Sequence, residues 1–76
     1  MSEAMSRQTH TSGETIRRHR VARRLTQVQV ATAIGVKQAT ISAWETGTAR
    51  PSTGNLLALA QLLGSSTDDL LGREAA

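Results

Sequence analysis

Three glycines limit the lengths of the elements that this chain can form. Gly35, Gly47 and Gly64 each follow a stretch with apolar residues at helical spacing, and each is expected to end a helix. Because the chain has only 76 residues, these stops leave room for short helices alone. The sequence contains no internal repeat and no heptad run. The predicted fold class is therefore all-α, a compact bundle of five helices.

The helix boundaries follow from capping residues and from the apolar pattern. Thr26 and Gln29 form a capping-box pattern at the start of the second helix. Pro51 precedes the fourth helix, with Ser52 or Thr53 as its N-cap. The predicted helices run from about Glu14 to Arg24, from Thr26 to Ile34, from Lys37 or Gln38 to Thr46, from Ser52 or Thr53 to Leu63, and from Thr67 to Leu71.

Apolar residues on one side of each helix define the predicted core. Leu62 points away from the stripe on the fourth helix and, near Leu70 and Leu71, is the predicted seed of a homodimer interface, while Leu57 sits at the border of the stripe. A single exposed leucine is also common on monomer surfaces. The predicted core residues are Ile16, Val30, Ala31, Ile34, Ile41, Trp44, Leu56, Leu59 and Leu63.

Composition excludes several classes of site. The chain has no cysteine, so it can form neither a disulfide nor a thiolate zinc site. Neither His10 nor His19 has a partner at ligand spacing, and no catalytic constellation is present, so we expect no metal, no cofactor and no enzymatic activity. No apolar stretch approaches the roughly 20 residues of a membrane helix. We therefore expect a cytoplasmic protein.

Charge is distributed unevenly along the chain. Residues 1–50 carry a net charge of +5 and residues 51–76 a net charge of −2. A basic surface of this kind suits a polyanionic partner, although it also suits a merely soluble protein. The predicted organisation is a flexible N-terminal arm at 1–12, one domain at 13–72 and a short tail at 73–76.

The second and third helices carry the most informative pattern. They are short and are joined by a turn containing Gly35, which is the arrangement of a helix-turn-helix unit. On the third helix, Ile41 and Trp44 share one side. The opposite side holds only small or polar side chains, namely Gln38, Ala39, Ser42 and Ala43. Such a side suits entry into the DNA major groove.

Several motifs in order extend this pattern over nearly the whole chain. They are LTQ at 25–27, TISAWETG at 40–47, Arg50-Pro51-Ser52, the Leu56–Leu63 stripe and DDLL at 68–71. With them the chain resembles the phage-repressor-like (lambda Cro-type, Xre) helix-turn-helix family. The resemblance implies a lambda-repressor-like fold and a sequence-specific regulator of double-stranded DNA. It further implies a repressor that binds a pseudo-palindromic operator as a homodimer.

The resemblance also implies roles for individual residues. It assigns base contacts to Gln38, Ala39, Ser42 and Ala43, and phosphate contacts to Thr26, Gln27, Lys37, Thr46, the backbone around Gly47, and Arg50. Arg20 and Glu45 match a family pair that forms a structural salt bridge between the first and third helices. Three positions depart from the family pattern: Lys37 replaces a Ser or Thr cap, Arg24 replaces a frequent Gly, and His19 stands where Leu is common.

Two other functions are compatible with the same pattern. An antitoxin-like module, whose main partner is another protein such as a cognate toxin, would use the same fold with DNA binding secondary. The N-terminal targeting domain of a longer enzyme is the third hypothesis.

Overall fold

The computed structural model describes residues 12–70, and these residues form helices joined by short turns. Four helices have eight or more residues: α1 (Ser12–Ala22), α2 (Gln27–Ile34), α3 (Gln38–Thr46) and α4 (Thr53–Leu63). Thr67–Leu70 form one further helical turn, called the terminal turn below. The all-α class is confirmed, but a count of five full helices is not. Most of the predicted arm (1–12), Leu71 and the predicted tail (73–76) lie outside the described residues.

Helix α1 begins and ends two residues earlier than the sequence predicts. Its C-terminal end is set by Arg24, which adopts φ 59°, in the left-handed region that non-glycine residues rarely occupy. The backbone N–H of Leu25 then donates to the carbonyl of Arg20 at 3.1 Å. Because the Cβ of Arg24 crowds the backbone at this positive φ, the turn carries a conformational cost.

The predicted capping residues set the bounds of α2, α3 and α4. The Thr26 hydroxyl accepts from the backbone N–H of Gln29 at 3.0 Å, and the Gln29 side chain accepts from the backbone N–H of Thr26 at 2.8 Å. This is the capping box predicted from the sequence. Lys37 precedes α3 and makes no side-chain capping bond. Gly35, Gly47 and Gly64 end α2, α3 and α4 with φ of 82°, 83° and 68°.

Most of the predicted core is buried, and two predicted core residues lie at its edge. Ile34 and Leu56 are half-buried and pack against the buried cluster, because each lies near the end of its helix and faces solvent on one side. Leu70, which was not predicted to be core, is fully buried. The buried cluster is Ile16, Val30, Ala31, Ile41, Trp44, Leu59, Ala60, Leu63 and Leu70.

The leucines predicted to seed a dimer are placed differently by the structure. Leu62 is half-buried and packs against the core, so the prediction that it points away from the core is wrong. Contact between α2 and α4 widens the covered arc of α4 beyond a single stripe. Leu57 is the exposed leucine of α4, at 51% exposure.

Two neighbouring helices cover one side of α3, and the opposite side of α3 remains open. Helix α1 packs on α3 and on the terminal turn, while α2 packs on α3 and α4. The start of α1 approaches the end of α3 very closely: a Cβ added at Gly13 would lie 2.5 Å from the carbonyl oxygen of Trp44 and 2.7 Å from that of Glu45. Residues 12–70 contain no helix that is both long and apolar enough to cross a membrane.

Candidate nucleic-acid interface

Helix α3 has one buried side and one open side. Ile41 is completely buried and Trp44 is 4% exposed, so these two side chains fix the orientation of the helix on the core. Gln38 and Ala39 are exposed, and Ser42 and Ala43 are half-buried. All four residues assigned to base contacts therefore lie away from the Ile41 and Trp44 side. Thr46 continues the line of Gln38 and Ser42 at intervals of four residues.

An ion pair links α1 to the buried edge of α3. Arg20 donates from Nε to Glu45 Oε2 at 2.5 Å and from Nη2 to Glu45 Oε1 at 3.0 Å, a bidentate arrangement. A third donor, Nη1, contacts the carbonyl of Leu25 at 2.8 Å. The hydrogen bond to Glu45 raises the pKa of the Arg20 guanidinium above its ordinary value, against the opposing effect of burial. The structure thus contains the salt bridge that the family resemblance implies.

A chain of side-chain hydrogen bonds continues from this ion pair to the open side of α3. The Nε2 of Gln27 donates to Glu45 Oε1 at 3.1 Å. The Oε1 of Gln27 then accepts from Nε2 of Gln38 at 3.4 Å. Gln27 is half-buried and Gln38 is exposed, so the chain of bonds ends at the surface.

The chemistry of the ion pair fixes the direction of every bond in this chain. Arginine can only donate, and an ionised glutamate can only accept. Glu45 must therefore receive the amide NH₂ of Gln27, which turns the carbonyl of Gln27 towards Gln38. Gln38 in turn uses one of its two amide hydrogens internally. Its second amide hydrogen and its carbonyl oxygen form a neighbouring donor and acceptor at the surface.

The residues assigned to phosphate contacts fall into three groups. Lys37 and Arg50 are exposed cations that flank α3 in sequence. Thr26 and Gln27 lie at the start of α2, where Thr26 caps the helix and Gln27 belongs to the hydrogen-bond chain. Thr46 is exposed, but its hydroxyl lies 3.1 Å from the carbonyl of Ser42 and 3.0 Å from the hydroxyl of Thr48. Sequence reasoning did not identify Thr48, although it follows Thr46 by two residues in the motif Thr-Gly-Thr.

The basic residues of α1 and of the turn after it lie largely on the surface. Arg17, Arg18, Arg23 and Arg24 are exposed, as expected for a solvated face. The Arg23 guanidinium occupies the space that a Cβ added at Gly64, just after α4, would need. The Nδ1 of His19 forms a polar contact with the hydroxyl of Ser65 at 2.8 Å. These side chains lie between α1, with the turn after it, and the turn that follows α4, outside the Gln38 chain.

Comparison with known protein families identifies the family of this chain. A family model described as helix-turn-helix matches residues 16–70, which extend from within α1 to the end of the terminal turn. The chain belongs to the phage-repressor-like helix-turn-helix family. The members of this family are DNA-binding regulators, and α2 with α3 is the helix-turn-helix unit of this chain.

A solved structure of the same family is also similar to this helix-turn-helix protein. It is the crystal structure of the P22 c2 repressor in complex with a synthetic operator in the presence of Tl⁺, with a TM-score of 0.77 and 38% sequence identity. The match covers 80% of this chain and 92% of the P22 chain. No curated protein sequence matches the chain.

Proposed function

We propose that this protein is a transcriptional repressor that binds double-stranded DNA in a sequence-specific manner. The observation that carries the proposal is the hydrogen-bond chain from the Arg20–Glu45 ion pair through Gln27 to exposed Gln38. It presents an oriented amide on an otherwise small and polar helix surface. Similarity to the P22 c2 repressor, which was crystallised with a synthetic operator, supports the same function.

Gln38 is the proposed base-reading residue. An amide that offers one donor and one acceptor matches N7 and the N6 amino group of adenine in the major groove. Guanine offers two acceptors at the corresponding positions, so the oriented amide of Gln38 favours adenine. Ala39 and Ala43 are short enough to approach thymine methyl groups, and Ser42 can hydrogen-bond a base edge.

The cations around α3 supply affinity that does not depend on sequence. Lys37 and Arg50 are exposed at either end of the α3 region, where a helix lying in the groove meets the two phosphate backbones. Thr26 and Gln27 at the start of α2 would contact the nearer backbone. Each neutralised phosphate releases counterions, so binding should weaken steeply as salt is raised.

Two copies of the chain are proposed to bind one pseudo-palindromic operator. Helix-turn-helix regulators read half-sites spaced one helical turn apart, so that the two-fold symmetry of the protein matches the symmetry of the DNA. Leu57 on α4 is an exposed apolar side chain available for contact between the copies. The protein would act at the nucleoid, repressing by occupation of promoter DNA.

Selection from a random pool of duplexes tests the proposed function. The recovered duplexes should share one half-site repeated with inverted symmetry. The mass of the complex on the best duplex, measured by light scattering, should correspond to two chains for each operator. Equal binding of all duplexes at physiological salt would refute the proposal, and tight binding to a protein partner under those conditions would favour an antitoxin-like module.

A further inference from the structure

Two threonine hydroxyls lie together at the C-terminal end of α3. The Oγ1 atoms of Thr46 and Thr48 are 3.0 Å apart, and both residues are exposed. The Thr46 hydroxyl also lies 3.1 Å from the carbonyl oxygen of Ser42 and 3.3 Å from that of Ala43. Threonine in a helix commonly donates to such carbonyls of the preceding turn.

The backbone of this turn has no N–H group left to bind an anion. The N–H of Gly47 donates to the carbonyl of Trp44 at 3.2 Å. The N–H groups of Thr48 and Ala49 both donate to the carbonyl of Ala43, at 2.9 and 3.2 Å. A contact from the backbone around Gly47 to phosphate, as the family resemblance implies, would break one of these bonds. Within residues 47–49 the Thr48 hydroxyl is the remaining donor.

Counting hydroxyl hydrogens separates the roles of the two threonines. Two hydrogens serve three interactions: the bonds from Thr46 to the helix carbonyls and the bond between the hydroxyls. When Thr46 donates to the helix, Thr48 donates to Thr46, which is a neutral acceptor. A phosphate oxygen is a stronger acceptor because it is charged. The Thr48 hydrogen can therefore move to a phosphate while Thr46 keeps its bonds to the helix.

We propose that Thr48 donates its hydroxyl to a DNA phosphate and that Thr46 is a positioning residue, which holds the Thr48 hydroxyl in the free protein until the Thr48 hydrogen bond is transferred to the phosphate. This inference rests on the proposed function and replaces the phosphate contact predicted for Thr46.

The distance along α3 agrees with this assignment. Thr46 lies eight residues beyond Gln38 on the same line, about 12 Å at the rise of an α-helix. In helix-turn-helix complexes the N-terminal residues of the recognition helix contact the base edges. When Gln38 at the start of α3 reads a base edge, the hydroxyl pair at the other end lies near the flank of the groove, where the phosphates are.

The test compares Thr48→Val with Thr48→Ser on the selected operator and on a scrambled duplex. Valine keeps the shape of threonine and removes the hydroxyl, whereas serine keeps the hydroxyl. Thr48→Val should weaken binding to both duplexes by about tenfold, the effect of losing a hydrogen bond to a charged group. The salt dependence should not change, because no cation is removed. Thr48→Ser should bind like the wild type, and thermal melting checks that both variants fold.

Neutral methylphosphonate substitutions, placed one at a time along the operator, identify the contact directly. One of these methylphosphonates should weaken operator binding by the wild type. It should leave operator binding by Thr48→Val unchanged, because that variant has already lost the hydrogen bond. Thr46→Val should weaken binding by about two- to threefold. In the Thr48→Val background it should cause no further loss of affinity.

Three outcomes would overturn the inference while leaving the proposed function intact. The first is a Thr48→Val variant with wild-type affinity for the operator. The second is a Thr48→Val variant that remains as sensitive as the wild type to every methylphosphonate. The third is a Thr46→Val variant that alone abolishes that sensitivity, which would make Thr46 the direct contact. Failure of the wild type to prefer any duplex would instead refute the proposed function itself.

Discussion

The contacts of Glu45 combine stability with recognition in one side chain. Its carboxylate accepts two bonds from Arg20 and one from Gln27, and the Glu45 side chain is only 3% exposed. Removing one partner of a buried pair leaves the other charge without compensation, which typically costs about 3–5 kcal/mol. Glu45 therefore supports the fold and, through Gln27, the orientation of Gln38.

These two contributions of Glu45 can be separated by mutation. Glu45→Ala should lower the free energy of unfolding by about 3–5 kcal/mol in urea denaturation. The double variant Arg20→Met with Glu45→Leu should recover most of that loss, because apolar residues of similar volume can replace a buried ion pair. It should still discriminate poorly at the adenine position, since Gln27 has lost its acceptor. A double variant that is stable and keeps full discrimination would show that the ion pair does not orient Gln38.

Helices α1 and α3 pack closely at Gly13 because glycine has no Cβ. An alanine Cβ at this position would meet the carbonyl oxygens of Trp44 and Glu45 at 2.5 and 2.7 Å. Gly13→Ala should therefore lower stability by about 1–3 kcal/mol, a typical cost of overpacking.

Gly54→Ala is the matched control for this substitution. A Cβ at Gly54 meets no atom within 4 Å, and Gly54 lies in α4. This variant should be as stable as the wild type or more stable by up to about 1 kcal/mol. Equal effects of the two substitutions in thermal melts would contradict the proposed close approach of α1 to α3.

At the residue scale, the sequence predicted which side of a helix is buried better than it predicted which side chains contact one another. Ile41 and Trp44 were placed on the buried side of α3 from periodicity alone, because a helix repeats every 3.6 residues. The burial of Leu70, the contact of His19 with Ser65 and the Thr46–Thr48 pair were not predicted. Each depends on where two separate elements meet or on how one turn folds, and the periodicity of a single helix carries no such information.

At the scale of elements, capping residues predicted most helix ends. Thr26, Gly35, Gly47 and Gly64 lie at the ends expected for them because their side chains, or the lack of one, satisfy helix termini locally. The end of α1 was misplaced by two residues, because Arg24 ends the helix in a conformation that its sequence does not favour.

The conformation of Arg24 leads to a prediction for the turn between α1 and α2. Arg24→Gly should raise the free energy of unfolding by about 0.5–1 kcal/mol, because glycine adopts a positive φ without steric cost but loses more entropy on folding. Arg24→Ala removes the same charge and keeps the steric cost, so it should give no such gain. Equal stability of the two variants in urea titrations would show that the gain, if any, comes from the charge.

At the scale of the whole molecule, a small core supports one exposed recognition surface. A chain of this size buries only about 60% of the surface that it exposes when unfolded, so individual contacts matter for the fold. The core lies between the four helices, and the open side of α3 lies outside it, with the exposed cations Lys37 and Arg50 before and after this helix in the sequence. Because of this separation, we expect substitutions on the open side to alter DNA binding and to leave the fold unchanged.

The most direct test measures whether Gln38 reads a base. Affinities of the wild type and of Gln38→Ala are compared on the selected operator and on operators changed at one base pair of each half-site at a time. The wild type should discriminate by about 1–3 kcal/mol at one adenine position, and Gln38→Ala should lose that discrimination at that position alone. Gln61→Ala, which removes an exposed amide from α4, should keep the wild-type pattern. If Gln38→Ala retains the full pattern of the wild type, an oriented Gln38 amide is not what reads the DNA.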